Sequence, residues 1–388
     1  MTTKQNHPDA VVIGAGIVGC GIAHALSLRG LHVALIDRGD IGQGTSGNTF
    51  AWVNATSKVN DEAYFQLNAR GAALYRELAC EWGERRIGLH PNGMIEWCSP
   101  ADQAQLDALR ARADKLKAWG YPIGWLGRGD LVAMEPHVRF EEGAEGLHAF
   151  ADTSLDVPTF LRFIVERLRA NGAVVLEHSG DLELIADDDG KVLGLETEGG
   201  RLHTERVVVA TGPDTPEVLS ALTGHEGFSS RFPMQRAPGL LVRTPPGNPR
   251  RLVRHVLYAA NAGIHIQQTP DGGYLMGSDG TDGLVSEDRS QEKMHQAAHE
   301  LLERTQRLIP SFEGTALLDR CELGIGVRPV PTDEKSIAGP MPGADGLYIT
   351  VTHSGVTLAL VLGKLMAECI DTGAVPAQLA PFGFERFQ

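Results

Sequence analysis

The sequence predicts an α/β fold in two parts: a parallel sheet of βαβ type assembled from separated stretches, and an antiparallel sheet with helices inserted between them. Three observations carry this. Short β-branched runs pass through glycine-containing turns into helix-spaced residues near both ends of the chain and in its middle, the mark of buried parallel strands with crossover helices. From 232 to 280 the pattern becomes alternating strands punctuated by Pro and Gly turns, an antiparallel meander. The length of 388 residues exceeds what one hydrophobic core usually serves.

The elements follow in order. DAVVI at 9–13 is a strand, apolar spacing over 17–28 gives a helix ended by Gly30, and LHVALI at 31–36 is a second strand, which completes a βαβ unit. Amphipathic helices are predicted at 61–86 and 101–119, the second entered through Pro100. A helix at 159–170 leads to a strand at 173–177, and a hairpin over 182–185 and 192–197 turns at Asp187-Asp188-Asp189-Gly190. RVVVA at 206–210 is a buried strand. A helix over 291–308 stops before Pro310, a strand occupies 346–350 and an amphipathic helix 356–370. The expected domains are 1–90, 150–222 and 321–388 for the first, and 91–149 and 223–320 for the second.

Composition narrows the function. Apolar residues are 42% and charged residues 22%, which excludes disorder as the main state. With 35 basic and 49 acidic residues the net charge is −14, the wrong sign for a nucleic-acid binder. The 5 cysteines are scattered with no Cys-x-x-Cys pair, so neither a disulfide framework nor a structural zinc site is expected, and the compartment reads as reducing. No span approaches ~18 uninterrupted apolar residues. A cytoplasmic protein without a membrane span is the expectation.

The chemistry starts at Gly14-Ala15-Gly16-Ile17-Val18-Gly19. The first glycine permits the tight turn and the second lets backbone approach a pyrophosphate. The third allows close helix–strand packing, and the helix N-terminus supplies N–H donors. Asp37 closes the second strand, where an acid accepts from ribose hydroxyls. A dinucleotide binds here. A second Gly-rich stretch, Gly42 to Thr49, follows at once. The strand 207–209 runs into Ala210-Thr211-Gly212, and GLYITVTHSGVTL at 346–358 is a strand–turn–helix. The ordered set, over about 9–370, resembles the D-amino-acid-oxidase-like family of FAD enzymes, the glycine oxidase and sarcosine oxidase group.

That resemblance implies a glutathione-reductase-like, Rossmann-type FAD domain of discontinuous segments and an antiparallel-sheet α+β substrate domain. Ile17, Val18, Asp37 and Arg38 match positions that hold adenosine and pyrophosphate, with Asp37 in place of the more usual Glu. Thr45 and Ser46 match pyrophosphate contacts, and Phe50, Ala51 and Trp52 match backbone passing the isoalloxazine. Asp181 falls near the strand residue whose backbone meets adenine, and Thr211 and Gly212 end the middle strand. His353, Ser354, Gly355, Val356, Thr357 and Leu358 form the turn and helix start beside the flavin, two residues shorter than in glycine oxidase. Arg328, in Gly326-Val327-Arg328-Pro329, matches the arginine that forks onto a substrate carboxylate. His265 lies on a meander strand of the kind that roofs the pocket, with Tyr258 and His255 on the same sheet.

The cysteine that sarcosine oxidases use for covalent flavin falls near Gly326, with Cys321 too early, and the histidine of dimethylglycine-type enzymes falls near Ala51, so FAD is expected without a bond to protein. The implied reaction is oxidation of a small amino acid or N-alkyl or cyclic amine to an imine, with O2 or another acceptor reoxidising the cofactor. Two alternatives stand: 2-hydroxy-acid oxidation with His265 or His353 as base, and a flavin-carrying subunit of a hetero-oligomeric dehydrogenase. Oligomerisation is possible. His295 and His299 are i,i+4 on a helix but lack a supporting carboxylate pattern, so no metal is expected. Arg250, Arg251 and Arg254 read as a solvated loop, and Ser46 and Ser354 lack a nucleophile elbow.

Overall fold

The computed structural model describes residues 7–224, 228–247 and 251–388. Its first sheet has six strands in the order Ile337–Pro340, Leu347–Val351, Val207–Val209, Ala10–Ile13, Val33–Ile36 and Val174–Leu176. All neighbours are parallel except Ile337–Pro340, an antiparallel edge. Side chains alternate faces along each strand. Val12, Leu35 and Val208 join one core with the helices Ile17–Leu28, Glu62–Trp82, Val157–Ala170 and Gly355–Thr372. Val11, Ile13, Ala34, Ile36, Val207 and Val209 point the other way. There they pack with a three-stranded antiparallel sheet, Glu183–Ala186, Val192–Thr197 and Gly200–His203, and with the helix Thr215–Thr223.

The helix after the first strand crosses the C-terminal helix backbone to backbone. A Cβ on Gly21 would lie 2.4 Å from the Ala359 carbonyl oxygen, and one on Gly363 would lie 2.5 Å from that of Gly21. Small residues at both crossing points fix the distance between two helices that both begin at the same cleft.

The second sheet has eight strands in the order Glu322–Pro331, Met234–Arg243, Tyr274–Ser278, Ile264–Gln268, Val256–Ala259, Met94–Cys98, Glu145–Ala149 and Ile123–Leu126. One pair is parallel, Val256–Ala259 with Met94–Cys98. The amphipathic helix Gln291–Leu308 buries Met294, Ala297, Ala298, Leu301 and Leu302 with Leu240, Val242, Ile266 and Met276 of this sheet.

Most predicted helices and strands stand within a few residues of their expected ends. Several features were unforeseen. The helix expected over 61–86 breaks at Gly83, whose φ of +89° ends Glu62–Trp82 before a short turn, Glu84–Ile87. The strands at 94–98, 123–126, 145–149 and 200–203 were not anticipated, and Met94–Cys98 is buried at every position, so it lacks the alternation that marks a strand. The boundary expected at 321 precedes Glu322–Pro331, which pairs along its whole length with Met234–Arg243 in the second sheet. This strand pairing, invisible in local sequence, puts the segment in one sheet with the meander.

Arg250 lies outside the described residues. The backbone N–H of Arg254 donates to buried Glu135 at 3.0 Å, and the His255 Nδ1 meets the same carboxylate at 2.7 Å. His255 is therefore anchored to Glu135 just before the strand Val256–Ala259, and it does not line the cleft described below. All five cysteines are free, and no helix among the described residues is long and apolar enough to cross a membrane.

Candidate cofactor and substrate site

A cleft of about 1060 Å³ runs along the ends of the first sheet's central strands and onto the second sheet, where open α/β sheets bind ligands. One end is the glycine turn. Gly14 has φ +104°, and a Cβ there would lie 2.5 Å from the Ala210 carbonyl oxygen; one on Gly19 would lie 1.9 Å from that of Gly14. Only glycine lets the helix start this close to the strand. The Asp37 carboxylate accepts from Ala15 N at 2.6 Å and from Gly39 N at 2.8 Å, so it pins the turn while standing on the cleft wall.

The second Gly-rich stretch closes over this end and reaches the second sheet. Ser46 Oγ accepts from Ile17 N at 3.0 Å, and Thr45 Oγ1 donates to the Val327 carbonyl at 2.5 Å. Asn48 lies against the Gly324–Gly326 backbone, where a Cβ on Gly326 would be 2.1 Å from its carbonyl oxygen. The strand carrying Arg328 is thus locked to the loop that follows the glycine turn. Across the mouth, Asp214 links Arg38 at 2.5 Å to Arg236 at 3.0 Å, and Arg236 bonds Glu287 at 2.7 Å.

At the other end the cleft is walled by Phe50, His265, Asp282, Arg328 and His353. Ala51 holds φ +59°, a conformation that costs energy for a residue with a Cβ, as the chain turns from Phe50 into the strand Trp52–Val53. The Phe50 and His265 rings meet edge to face at 4.5 Å. Gly277 faces His265 across the sheet, and a Cβ there would lie 2.5 Å from its Nε2, so this glycine makes room for the ring. Burial pushes the His265 imidazole down to about 4. His353 is pushed to about 3, by burial first and then by the positive charges of Lys58 and Arg328. Both histidines are neutral at pH 7. Burial likewise lowers the Lys58 ammonium to about 8.

Arg328 Nη2 meets Asp282 Oδ2 at 2.7 Å, and its Nε reaches the Ala237 carbonyl at 3.4 Å. Its side chain is 43% exposed. Asp282 Oδ1 also accepts from Leu240 N at 3.0 Å.

The cleft brings together Gly14, Gly16, Ile17, Val18, Asp37, Arg38, Thr45, Ser46, Phe50, Asp181, Thr211, Gly212, His265, Arg328, His353, Gly355 and Val356. Other predicted site residues stand behind its wall. Gly19 makes the helix–strand contact described above. Ala51 is buried, and Trp52 receives the Thr357 hydroxyl on its carbonyl at 3.3 Å. Ser354 accepts from Tyr64 OH at 3.0 Å, and Thr357 and Leu358 sit in the core. Helical phase turns these side chains into the core: of the residues after the turn, Gly355 and Val356 line the cleft. Asp181 is in the loop before Glu183–Ala186 rather than on a strand. Asp282 and Lys58 were missed. Asp282 lies in the turn Asp279–Asp282, and only the sheet places it beside Arg328; Lys58 belongs to a loop without periodic pattern.

These residues fit a dinucleotide. A glycine cradle that any Cβ would fill, an acid at the second strand's end and two helix N-termini at one cleft supply its usual contacts. Thr350 Oγ1, on the cleft-lining strand, is buried without a partner, a hydroxyl left for a ligand.

The FAD dependent oxidoreductase family matches residues 9–369. Glycine oxidase of Geobacillus kaustophilus is 26% identical over 388 residues, covering 97% of each chain. A crystal structure of glycine oxidase from that organism superposes with a TM-score of 0.78 at 24% identity, over 97% of this chain and 98% of the other. L-proline dehydrogenase from P. horikoshii gives 0.80 at 21%, over 98% of both. The fold is shared across all of them, and the match of nearly the whole chain places this protein in the FAD dependent oxidoreductase family.

Proposed function

We propose that the protein oxidises a small amino acid, or an N-alkyl or cyclic amine carrying a carboxylate, to the imine. The observation that carries this reading is Arg328, a guanidinium in the same cleft as the glycine cradle and tied to it through Val327 and Thr45. Its fork matches a carboxylate with two parallel N–H donors. The glycine turn, Asp37 and the Gly355 helix start would hold a non-covalent FAD in a glutathione-reductase-like domain of discontinuous segments. When bound, that cofactor would supply the acceptor for a hydride, which carries the two electrons of the oxidation.

The chain's own part is positioning. Arg328 fixes the carboxylate end of the substrate, while Phe50 and the neutral His265 wall the space around the carbon that is oxidised. His265 and His353 are held near 4 and 3, far below the pKa that suits a general base at neutral pH. This counts against a 2-hydroxy acid with either histidine as its base, and favours an amine, whose own lone pair drives the step. The amino-acid-oxidising relatives support the same class and an external electron acceptor, O2 or another.

The test is an anaerobic titration of the purified protein with D-, L- and N-methyl amino acids, cyclic amines and 2-hydroxy acids, followed by loss of the oxidised-flavin colour. Bleaching by an amino acid or amine is expected, and the rate of recolouring in air sorts oxidase from dehydrogenase. Bleaching by a hydroxy acid alone refutes the reading. Bleaching by none of them until a partner protein is added would replace it with the hetero-oligomeric subunit.

A further inference from the structure

Asp282 is a carboxylate in the place where the substrate's carboxylate is read to bind. Its side chain is 16% exposed, it meets Arg328 at 2.7 Å, and it lies on the cleft wall with Gly239 and Leu240. Gly239 has no side chain to cover it, and a Cβ there would come within 3.0 Å of the Asp282 carboxylate. An incoming amino acid brings one positive and one negative charge to a site that already holds one of each.

We propose that the Arg328–Asp282 pair exchanges partners with the substrate: Arg328 takes the substrate carboxylate, and Asp282 takes a proton from the substrate ammonium, leaving the amine neutral for oxidation. This rests on the amine-oxidising reading above. In the transfer an N–H bond of the ammonium breaks and an O–H bond forms on Asp282; no electrons leave either group. Four charges become two, Arg328 and the substrate carboxylate, and these are paired, which lowers the cost of closing the cleft around them. A protonated Asp282 no longer holds Arg328 ionically, so the proton transfer itself frees the guanidinium.

The surroundings permit this. Burial raises the Asp282 carboxyl above its usual range, against the lowering by Arg328 and by Leu240 N–H. Asp279, on the same turn, adds negative charge and accepts from Tyr258 OH at 3.1 Å. His265 is neutral above about 4. Arg304, from the helix Gln291–Leu308, lies beside Gly280 and bonds Glu300 at 3.4 Å. Arg236 and Glu287, elsewhere on the cleft wall, pair with each other. Arg328 lowers the Lys58 ammonium, and the charges that shift Asp282 are those of Arg328 and Asp279.

The experiment compares kcat/KM against pH for the holoenzyme and Asp282→Asn, using whichever amino acid best reduces the wild type. The wild type acts on the ammonium form, so kcat/KM stays flat from pH 9 to 7. Asp282→Asn admits only neutral amine and loses about 100-fold over that range, about tenfold per pH unit for a single required deprotonation, and Asp282→Glu restores the flat profile. Binding of acetate, followed by the flavin spectrum, gives a readout apart from turnover: with its competitor removed, Arg328 binds acetate about tenfold tighter in Asp282→Asn. A wild-type slope of one log unit per pH unit overturns the exchange, even if no variant holds FAD. So does a flat profile in Asp282→Asn, or acetate binding that does not change. If no amino acid or amine reduces the wild type, the amine reading itself falls.

Discussion

Replacing Gly363 with alanine should loosen the frame that holds the cofactor end of the cleft. Gly363 lies inside the helix Gly355–Thr372 and does not need a positive φ, so the usual helix preference would make alanine better by about 1 kcal/mol. The crossing opposes it. A Cβ at 363 would lie 2.5 Å from the Gly21 carbonyl oxygen, 2.7 Å from its carbon and 3.2 Å from Ile22 N, all backbone atoms. Ordinary contact is about 3.5–4.0 Å, so the helices must part by about 1 Å. Overpacking costs about 1–3 kcal/mol, and a clash with two carbonyl atoms belongs at the upper end, leaving a net loss of about 2 kcal/mol. At about 2 °C per kcal/mol for a large domain, Tm should fall by about 4 °C. The control is Gly129→Ala in the exposed helix Arg128–Met134, where an added Cβ meets nothing within 4 Å; Tm there should hold or rise. Thermal unfolding with FAD fluorescence as a second probe reads both. Because the two helices present their N-termini to one cleft, Gly363→Ala should also release FAD more readily. A Tm that rises as it does for Gly129→Ala would refute the reasoning that backbone contact sets this crossing.

Three further outcomes follow from the same geometry. Gly14→Ala combines φ +104° with a 2.5 Å approach to Ala210 O, and the purified variant should come off the column colourless; a full complement of FAD would contradict the cradle. Arg328→Lys keeps the charge but loses the fork, so KM for a carboxylate-bearing amine should rise at least tenfold, at about 1.4 kcal/mol per decade; an unchanged KM would sink the anchor. His265 is depressed to about 4 in the fold against about 6.5 unfolded, so between these values the unfolded chain binds more protons. The stability it contributes is present above 6.5 and is lost as pH falls towards 4. Wild-type Tm should therefore drop more steeply over that window than Tm of His265→Gln, and parallel curves would count against a buried neutral ring.

The two ends of the cleft differ in how far the sequence exposes them. The turn at Gly14, its helix and the acid at 37 form one contiguous unit whose geometry depends on local rules: glycine where backbone must approach backbone, and a polar acceptor at a strand end. These are readable because each contact lies within about one βαβ unit. The substrate end obeys no such rule. Arg328, Asp282, Leu240, His265 and Phe50 come from five separated segments, and what joins them is register. Arg328 stands opposite Ala237, and His265 stands between Tyr258 on one strand and Gly277 on the other. Shifting any of these pairings by one residue would send the side chain to the opposite face of the sheet. The sequence displays Gly277 without displaying the imidazole it accommodates, and Asp282 without the guanidinium it meets. At the turn before the C-terminal helix, helical phase decides which residues line the cleft: Gly355 and Val356 do, while the Leu358 side chain is buried. Residues that define the substrate are therefore the ones a pattern reading misses, because substrate choice here depends on side chains brought together by strand pairing rather than by proximity along the chain.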